Sequence, residues 1–283
     1  EAAFELGAWV TVDSLFPLTE WPEVFRGKQI LLRLDPGRGH GHHAHVRTAG
    51  AQSKFGISPE VIEHAAQAAD AAGATVIGLH AHAGSGVRIP DAWIEVARFL
   101  TDMAVHFPDA KILDVGGGLG VLEKPGHSPL DLRLLDRRLG QVSEAFPGFE
   151  IWMEPGRYLV AEAGVLLTRV NQTKEKSALR YVGVDAGMHT FIRPALYGAW
   201  HEIVNLNRLN EEPEWLCNVV GPICETGDTL GYGRRLPPTK EGDVMLLATA
   251  GAYGQAMSSQ YNRRARAREV LLKGPTRTEE QGS

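Results

Sequence analysis

Two glycine-marked turns, each reached from a short apolar run, constrain the fold more than any other feature of the chain. Lys111-Ile112-Leu113 leads into DVGGGLG, Asp114 to Gly120, and Phe149-Glu150-Ile151-Trp152-Met153 leads into EPGR, Glu154 to Arg157. Between them, Leu130 to Phe146 carries apolar residues at helical spacing, so the stretch reads strand, turn, helix, strand, turn. In a barrel of alternating strands and helices, the loops after the last strands commonly hold a phosphate group, because glycine lets backbone N–H groups approach an anion closely. The first expectation is a phosphorylated cofactor.

The same grammar runs upstream. Ala2 to Leu6 reads as the end of a helix, and Trp9 to Val12, Gln29 to Leu34 and Thr75 to Leu79 read as strands. Ser58 as N-cap, Pro59 at the first position and Gly73 as terminator bound a helix to Ala72, and Asp91 to Val105 is another. The strand Thr75 to Leu79 delivers HAHAGSG, His80 to Gly86, to its carboxyl end, where such folds keep their reactive side chains. Downstream of Arg157 the pattern changes. Tyr158 to Val170, Ala178 to Asp185, His201 to Leu206, Trp215 to Val220 and Asp243 to Ala248 read as strands separated by turn residues. The expected fold is an α/β barrel over residues 1–158, a partial (β/α)8 with about five of its eight strands, followed by a C-terminal all-β domain over residues 159–283.

With 283 residues and 43% hydrophobic content the chain can bury a large core. A formal charge of -5 gives no attraction for polyanions, so neither nucleic acid nor a membrane surface is an expected partner. No apolar run reaches the roughly 18 residues of a membrane span. The only cysteines, Cys217 and Cys224, make neither a disulfide framework nor a tetrahedral metal site, which fits a reducing cytoplasm. His40, His42, His43 and His45 crowd one loop, but no acidic residue or cysteine joins them, and a flexible polar loop is the expectation. The tail from Lys273 to Ser283 is polar.

The glycine turn does not match a dinucleotide fingerprint, since Pro125 and Gly126 interrupt the helix that should follow it. Glu154 suits either a helix-capping carboxylate or the partner of a ring nitrogen that must stay protonated. His82 and Ser85 fit equally well as satisfied polar residues at a strand end. Arg193 and Tyr197, four apart, share one face of a helical turn and suit a carboxylate. In GPICETGD, Gly221 to Asp228, the thiol of Cys224 sits beside Glu225 on a turn of small residues; a small buried hydrophobe is the competing reading. Tyr253 falls just after a strand.

DVGGGLG, EPGR, VDAGMHTFIRPALYGAWH, GPICETGD and GAYGQAMSSQYN, in this order and spacing, resemble the diaminopimelate decarboxylases, in the alanine-racemase-like, fold-type III group of pyridoxal phosphate enzymes. The resemblance covers Trp9 to Asn262, and the histidine loop also resembles the decarboxylase half of fused aspartokinase–decarboxylase proteins. It implies decarboxylation of meso-diaminopimelate to lysine with pyridoxal 5'-phosphate. His82 is then similar to the imidazole that stacks on the cofactor ring, Ser85 to a neighbour of the phosphate, and Gly116, Gly117 and Gly118 to its cradle. Within Glu154, Pro155, Gly156 and Arg157, the glutamate would pair with the pyridine nitrogen. Arg157, Arg193 and Tyr197 would hold substrate carboxylates. Cys224 would be the proton donor, Glu225 would read the distal amine, and Tyr253 would lie against cofactor and substrate. The family's Cys-Glu pair reaches into the partner protomer's site, so a homodimer is implied. Competing functions are a related basic amino-acid or polyamine decarboxylase and a non-catalytic regulatory homologue.

One family feature has no counterpart. The Schiff-base lysine of a motif resembling YAxKAN is absent, and Lys28, Lys54, Lys111 and Lys124 all fall in segments that match other parts of the family. The expectation is that the family's first three barrel strands lie outside these 283 residues, and that the chain alone is inactive. A five-strand remnant should present two open sheet edges.

Overall fold

The computed structural model describes residues 1–37, 40–41, 53–177 and 179–273. The chain divides into two compact units, Glu1–Gly164 and Val165–Ser283. The histidine loop lies outside the described residues apart from the backbone of His40, as does the tail beyond Lys273.

The first unit is a five-stranded parallel sheet, with β1 (Val10–Val12), β2 (Gln29–Arg33), β3 (Thr75–His80), β4 (Ile112–Asp114) and β5 (Glu150–Trp152) in spatial as well as chain order. Each apolar run identified in the sequence is one of these strands. The longer helices between them are α1 (Ile62–Ala71), α2 (Asp91–Met103) and α3 (Leu132–Ala145), with two single-turn helices, Phe16–Glu20 and Pro22–Phe25, between β1 and β2. Ser58 Oγ accepts the Glu60 N–H, but it caps a 3-10 turn over Pro59–Val61 that precedes α1. Asp131 caps α3, its Oδ1 accepting the Leu134 N–H at 2.9 Å. The apolar stripe of α2, with Trp93, Val96, Ala97 and Leu100 all buried, closes the core beneath Leu79, Leu113 and Val115.

Among the described residues β1 pairs only with β2 and β5 only with β4, so both edges are open. The sheet nevertheless curls. Trp9, just before β1, and Trp152, on β5, stack with ring centroids 5.3 Å apart and planes at 25°. Near this pair is a cavity of about 500 Å³ lined by Trp9, Thr11, Leu31, Asp114, Trp152, Met153 and Glu154.

The second unit is a six-stranded sheet. Its strands β6 (Leu166–Lys176), β7 (Leu179–Val184), β8 (Ile203–Asn205), β9 (Trp215–Val220), β10 (Thr229–Leu236) and β11 (Val244–Leu247) lie in the order β8-β11-β6-β7-β9-β10. All neighbours are antiparallel except β7 and β9. Val182, Val184, Val219, Leu230 and Met245 form the core on one face. The sequence reading of a strand from Tyr158 to Val170 is corrected: Gly156–Val160 is a helix, α4, and Ala161–Ala163 a 3-10 turn, and the strand begins at Leu166. Pro155 at the N-cap starts that helix, and the extended alternation takes hold only after Gly164.

Candidate active site

In the first unit, the ends of β3, β4 and β5 bring together His80, His82, Asp114, Gly116–118 and Glu154. The glycine turn is bound to its neighbours at close quarters. A Cβ on Gly117 would lie 2.1 Å from the Glu154 carbonyl oxygen, and one on Gly118 would lie 1.8 Å from that of Gly84. No side chain fits at either position, which is why this turn is glycine-rich. Trp93, with 0% exposure, donates from Nε1 to the Gly117 carbonyl at 3.0 Å.

Two of the three glycine amides serve the turn itself. The Gly116 N–H donates to Asp114 Oδ1 at 2.9 Å and the Gly117 N–H to His82 Nδ1 at 3.1 Å. Among the described residues only the Gly118 amide of the three is without an acceptor, and the anion-cradling reading narrows to it. Because His82 Nδ1 accepts, the neutral ring carries its proton on Nε2. Burial, with His80 and Arg33 adding to it, pushes His82 down to about 4, against the pull of Glu154. A histidine held below its unfolded value of 6.5 costs stability as pH falls from about 6.5 towards 4, because only the unfolded chain takes up the proton. The expected outcome is that the His82 ring signals in a histidine-selective NMR titration stay those of the neutral Nε2–H tautomer until about pH 4. A midpoint near the ordinary histidine value would contradict this geometry.

His80 went without a role in the sequence reading, although it lies only two positions before His82, at the end of β3. It is 5% exposed, and its Nε2 lies 3.5 Å from Glu154 Oε2. One ligand-type atom from each of His80, Asp114 and Glu154 falls within 4.8 Å of the others. The His80 contact leads, and nearby Arg33 adds to, the causes that hold Glu154 below the usual carboxylate range against its partial desolvation. Burial pushes Asp114 up, against its bond from the Gly116 amide, and nearby Glu154 adds to the rise. The result is an ionised carboxylate in contact with His80, near the neutral ring of His82 and the glycine turn. That donor set fits pyridoxal phosphate, whose ring nitrogen needs an anion to remain protonated and whose phosphate needs backbone N–H groups.

Other predicted positions are distributed as follows. Ser85 lies on a two-residue parallel ladder with Gly41. Pro155 is the N-cap of α4, Gly156 donates to the Glu154 carbonyl at 2.8 Å, and Arg157 is ion-paired with Glu123. Lys28, Lys54, Lys111 and Lys124 are all exposed, and none lines the cavity.

In the second unit, Arg193 and Tyr197 are the ends of a short helix, α5 (Arg193–Tyr197), closed by Gly198 at φ 61°. Arg193 is 6% exposed. His201 positions it: Nδ1 donates to the Ala248 carbonyl at 3.0 Å, so Nε2 is the acceptor for Arg193 Nη1 at 3.1 Å. Cys224 and Glu225 are exposed on their turn, which settles Cys224 against the buried-hydrophobe reading. Cys217 is the buried thiol, pushed up to about 11 by desolvation. The turn is organised by Asp228, 2% exposed, whose carboxylate accepts the Met188 N–H at 2.5 Å and the Ile223 N–H at 2.7 Å. Tyr253 is 51% exposed and sits at φ 66°.

Residues 41–251 match the family model of the pyridoxal-dependent decarboxylases, C-terminal sheet domain. The chain is 38% identical to a diaminopimelate decarboxylase of Methanothermobacter thermautotrophicus over 96% of its own length and 66% of the relative's. With that of Archaeoglobus fulgidus the identity is 37%, over 97% and 68%. The crystal structure of diaminopimelate decarboxylase from Helicobacter pylori complexed with L-lysine superposes with a TM-score of 0.80 at 30% identity, covering 92% of this chain and 67% of that one. The chain therefore spans about two thirds of the length of the curated relatives it matches. No helix among the described residues is long and apolar enough to cross a membrane. On this match the chain belongs to the diaminopimelate decarboxylase family of pyridoxal-dependent decarboxylases.

Proposed function

We propose that the protein removes the α-carboxylate of meso-diaminopimelate to give lysine, as a cytoplasmic homodimer. The observation that carries this reading is the buried His80 holding Glu154 ionised beside a neutral His82 at the strand ends. Bound pyridoxal phosphate would supply the electron sink for loss of carbon dioxide. Glu154 would keep its ring nitrogen protonated, His82 would lie against its ring, and the Gly118 amide, with Ser85, would hold its phosphate. Arg193, held by His201, binds a substrate carboxylate, with Tyr197 on the same helix and Arg157 offering a second cation. Glu225 binds the distal amine, and Tyr253 contacts cofactor and substrate. Cys224 returns a proton to the carbon that lost its carboxylate, its turn completing the site of the second protomer. A substrate lacking the distal charges leaves Arg193 and Glu225 without their ligands, which is the basis of selectivity.

The test is the yield of carbon dioxide and lysine from meso-diaminopimelate by the protein as the cell makes it. Equal amounts of the two products are expected. Turnover of ornithine or arginine, with diaminopimelate untouched, would overturn the substrate assignment.

A further inference from the structure

Two hydrogen bonds in the second unit involve residues to which neither the sequence reading nor the proposed function gives a role. Asn262 Nδ2 donates to Cys224 Sγ at 3.3 Å, and the Tyr261 hydroxyl donates to Glu225 Oε1 at 2.5 Å. Two adjacent side chains thus clasp two adjacent site residues.

Both halves of this contact are anchored independently. The Cys224–Glu225 turn is held at its base by Asp228, through the Ile223 amide. On the other side, the Ser259 N–H donates to the His189 carbonyl at 2.8 Å and the Arg263 N–H to the Gln260 carbonyl at 2.8 Å. Asn262, at φ 54° and ψ 27°, and Arg263, at φ 57°, follow one another in the left-handed region. Asparagine tolerates that region well, whereas arginine is strained there. The backbone is therefore held against a cost at the point where the amide reaches the thiol.

We propose that Asn262 and Tyr261 are positioning residues for Cys224 and Glu225, the amide holding Sγ and stabilising the thiolate, the phenol fixing one carboxylate oxygen. The inference rests on the proposed role of Cys224 as proton donor. In that step the S–H bond breaks and its electron pair stays on sulfur. The proton forms a C–H bond with the pair left behind by carbon dioxide, and the thiolate later regains a proton from water. A donor aimed at sulfur lowers the energy of the state in which charge has developed there. On the other arm, the Glu225 carboxylate raises the Tyr261 phenol above its ordinary value, so the phenol keeps the proton it donates. The second Glu225 oxygen is left for a cationic group.

The experiment is the rate of alkylation of the two cysteines by iodoacetamide at near-neutral pH, read by intact mass, in Asn262→Asp and Asn262→Gly. It needs neither cofactor nor turnover, so its outcome is separable from that of the decarboxylation assay. Both replacements accept the left-handed backbone, and silence of the buried Cys217 reports an intact fold. The thiolate is the reacting species, so losing the donor slows alkylation of Cys224 about threefold in the glycine variant. A carboxylate placed beside sulfur slows it about tenfold in the aspartate variant. Alkylation as fast as in the unmodified chain, in either variant, would overturn the proposal, because the backbone shape alone would then account for the contact.

Discussion

Asp228→Ala lowers the unfolding free energy of the second unit by about 3–5 kcal/mol. The carboxylate is 2% exposed and accepts two backbone amides from different loops, those of Met188 and Ile223. The carboxylate packs closely against the turn, for a Cβ on Gly221 would lie 2.3 Å from Asp228 Oδ2. Alanine would leave the buried Ile223 N–H and the part-buried Met188 N–H without their acceptor. Asparagine keeps the shape and one acceptor, and its cost is about half as large. Urea unfolding followed by tryptophan fluorescence measures both, since Trp200 and Trp215 lie in this unit. A loss under about 1 kcal/mol for alanine would mean that the turn presenting Cys224 is held by something other than Asp228.

Glu154→Gln weakens binding of pyridoxal phosphate at least about tenfold, the loss expected for one charge-assisted hydrogen bond. The amide keeps the length and shape of the carboxylate but not its charge, so it cannot hold a proton on the ring nitrogen. His80 makes the native group suited to this, keeping Glu154 ionised although it sits beside a half-buried cluster. The Glu154 side chain is 56% exposed, and the solvent around it screens part of that charge. The tenfold figure is the effect expected to survive that screening.

The strands of the first unit were legible because each is a short apolar run closed by glycine or a polar residue, and the pattern needs no long-range information. β10 was not legible. Thr229–Leu236 reads TLGYGRRL, in which two glycines and two arginines hide the alternation; only the fold shows Arg234 buried, with its guanidinium 4.3 Å from the centre of the Trp200 ring. The helix Gly156–Val160 was hidden for a related reason, since Tyr158, Leu159 and Val160 suit a strand as well as a helix and tertiary context decides between them.

At the site, motif residues such as Glu154, His82 and Cys224 could be named from their neighbours in sequence. The partners brought to the site from far along the chain could not, because Trp93 reaches Gly117 across 24 residues and Asn262 reaches Cys224 across 38. His80 carried a faint signal, two positions before His82 at the end of β3. The resemblance suggested that all three glycines cradle a phosphate, whereas the amides of Gly116 and Gly117 are spent on Asp114 and His82.

The central claim is that the ends of β3, β4 and β5 form a seat for the pyridoxal phosphate ring with Glu154 at its nitrogen. Titration of the purified protein with pyridoxal phosphate, followed by absorbance, tests it in the native chain and in Glu154→Gln side by side. The account predicts saturable binding of one cofactor per chain, weakened at least about tenfold by the substitution. Equal affinity in the two proteins would contradict it, because the cofactor would then be seated without the carboxylate that lies against His80.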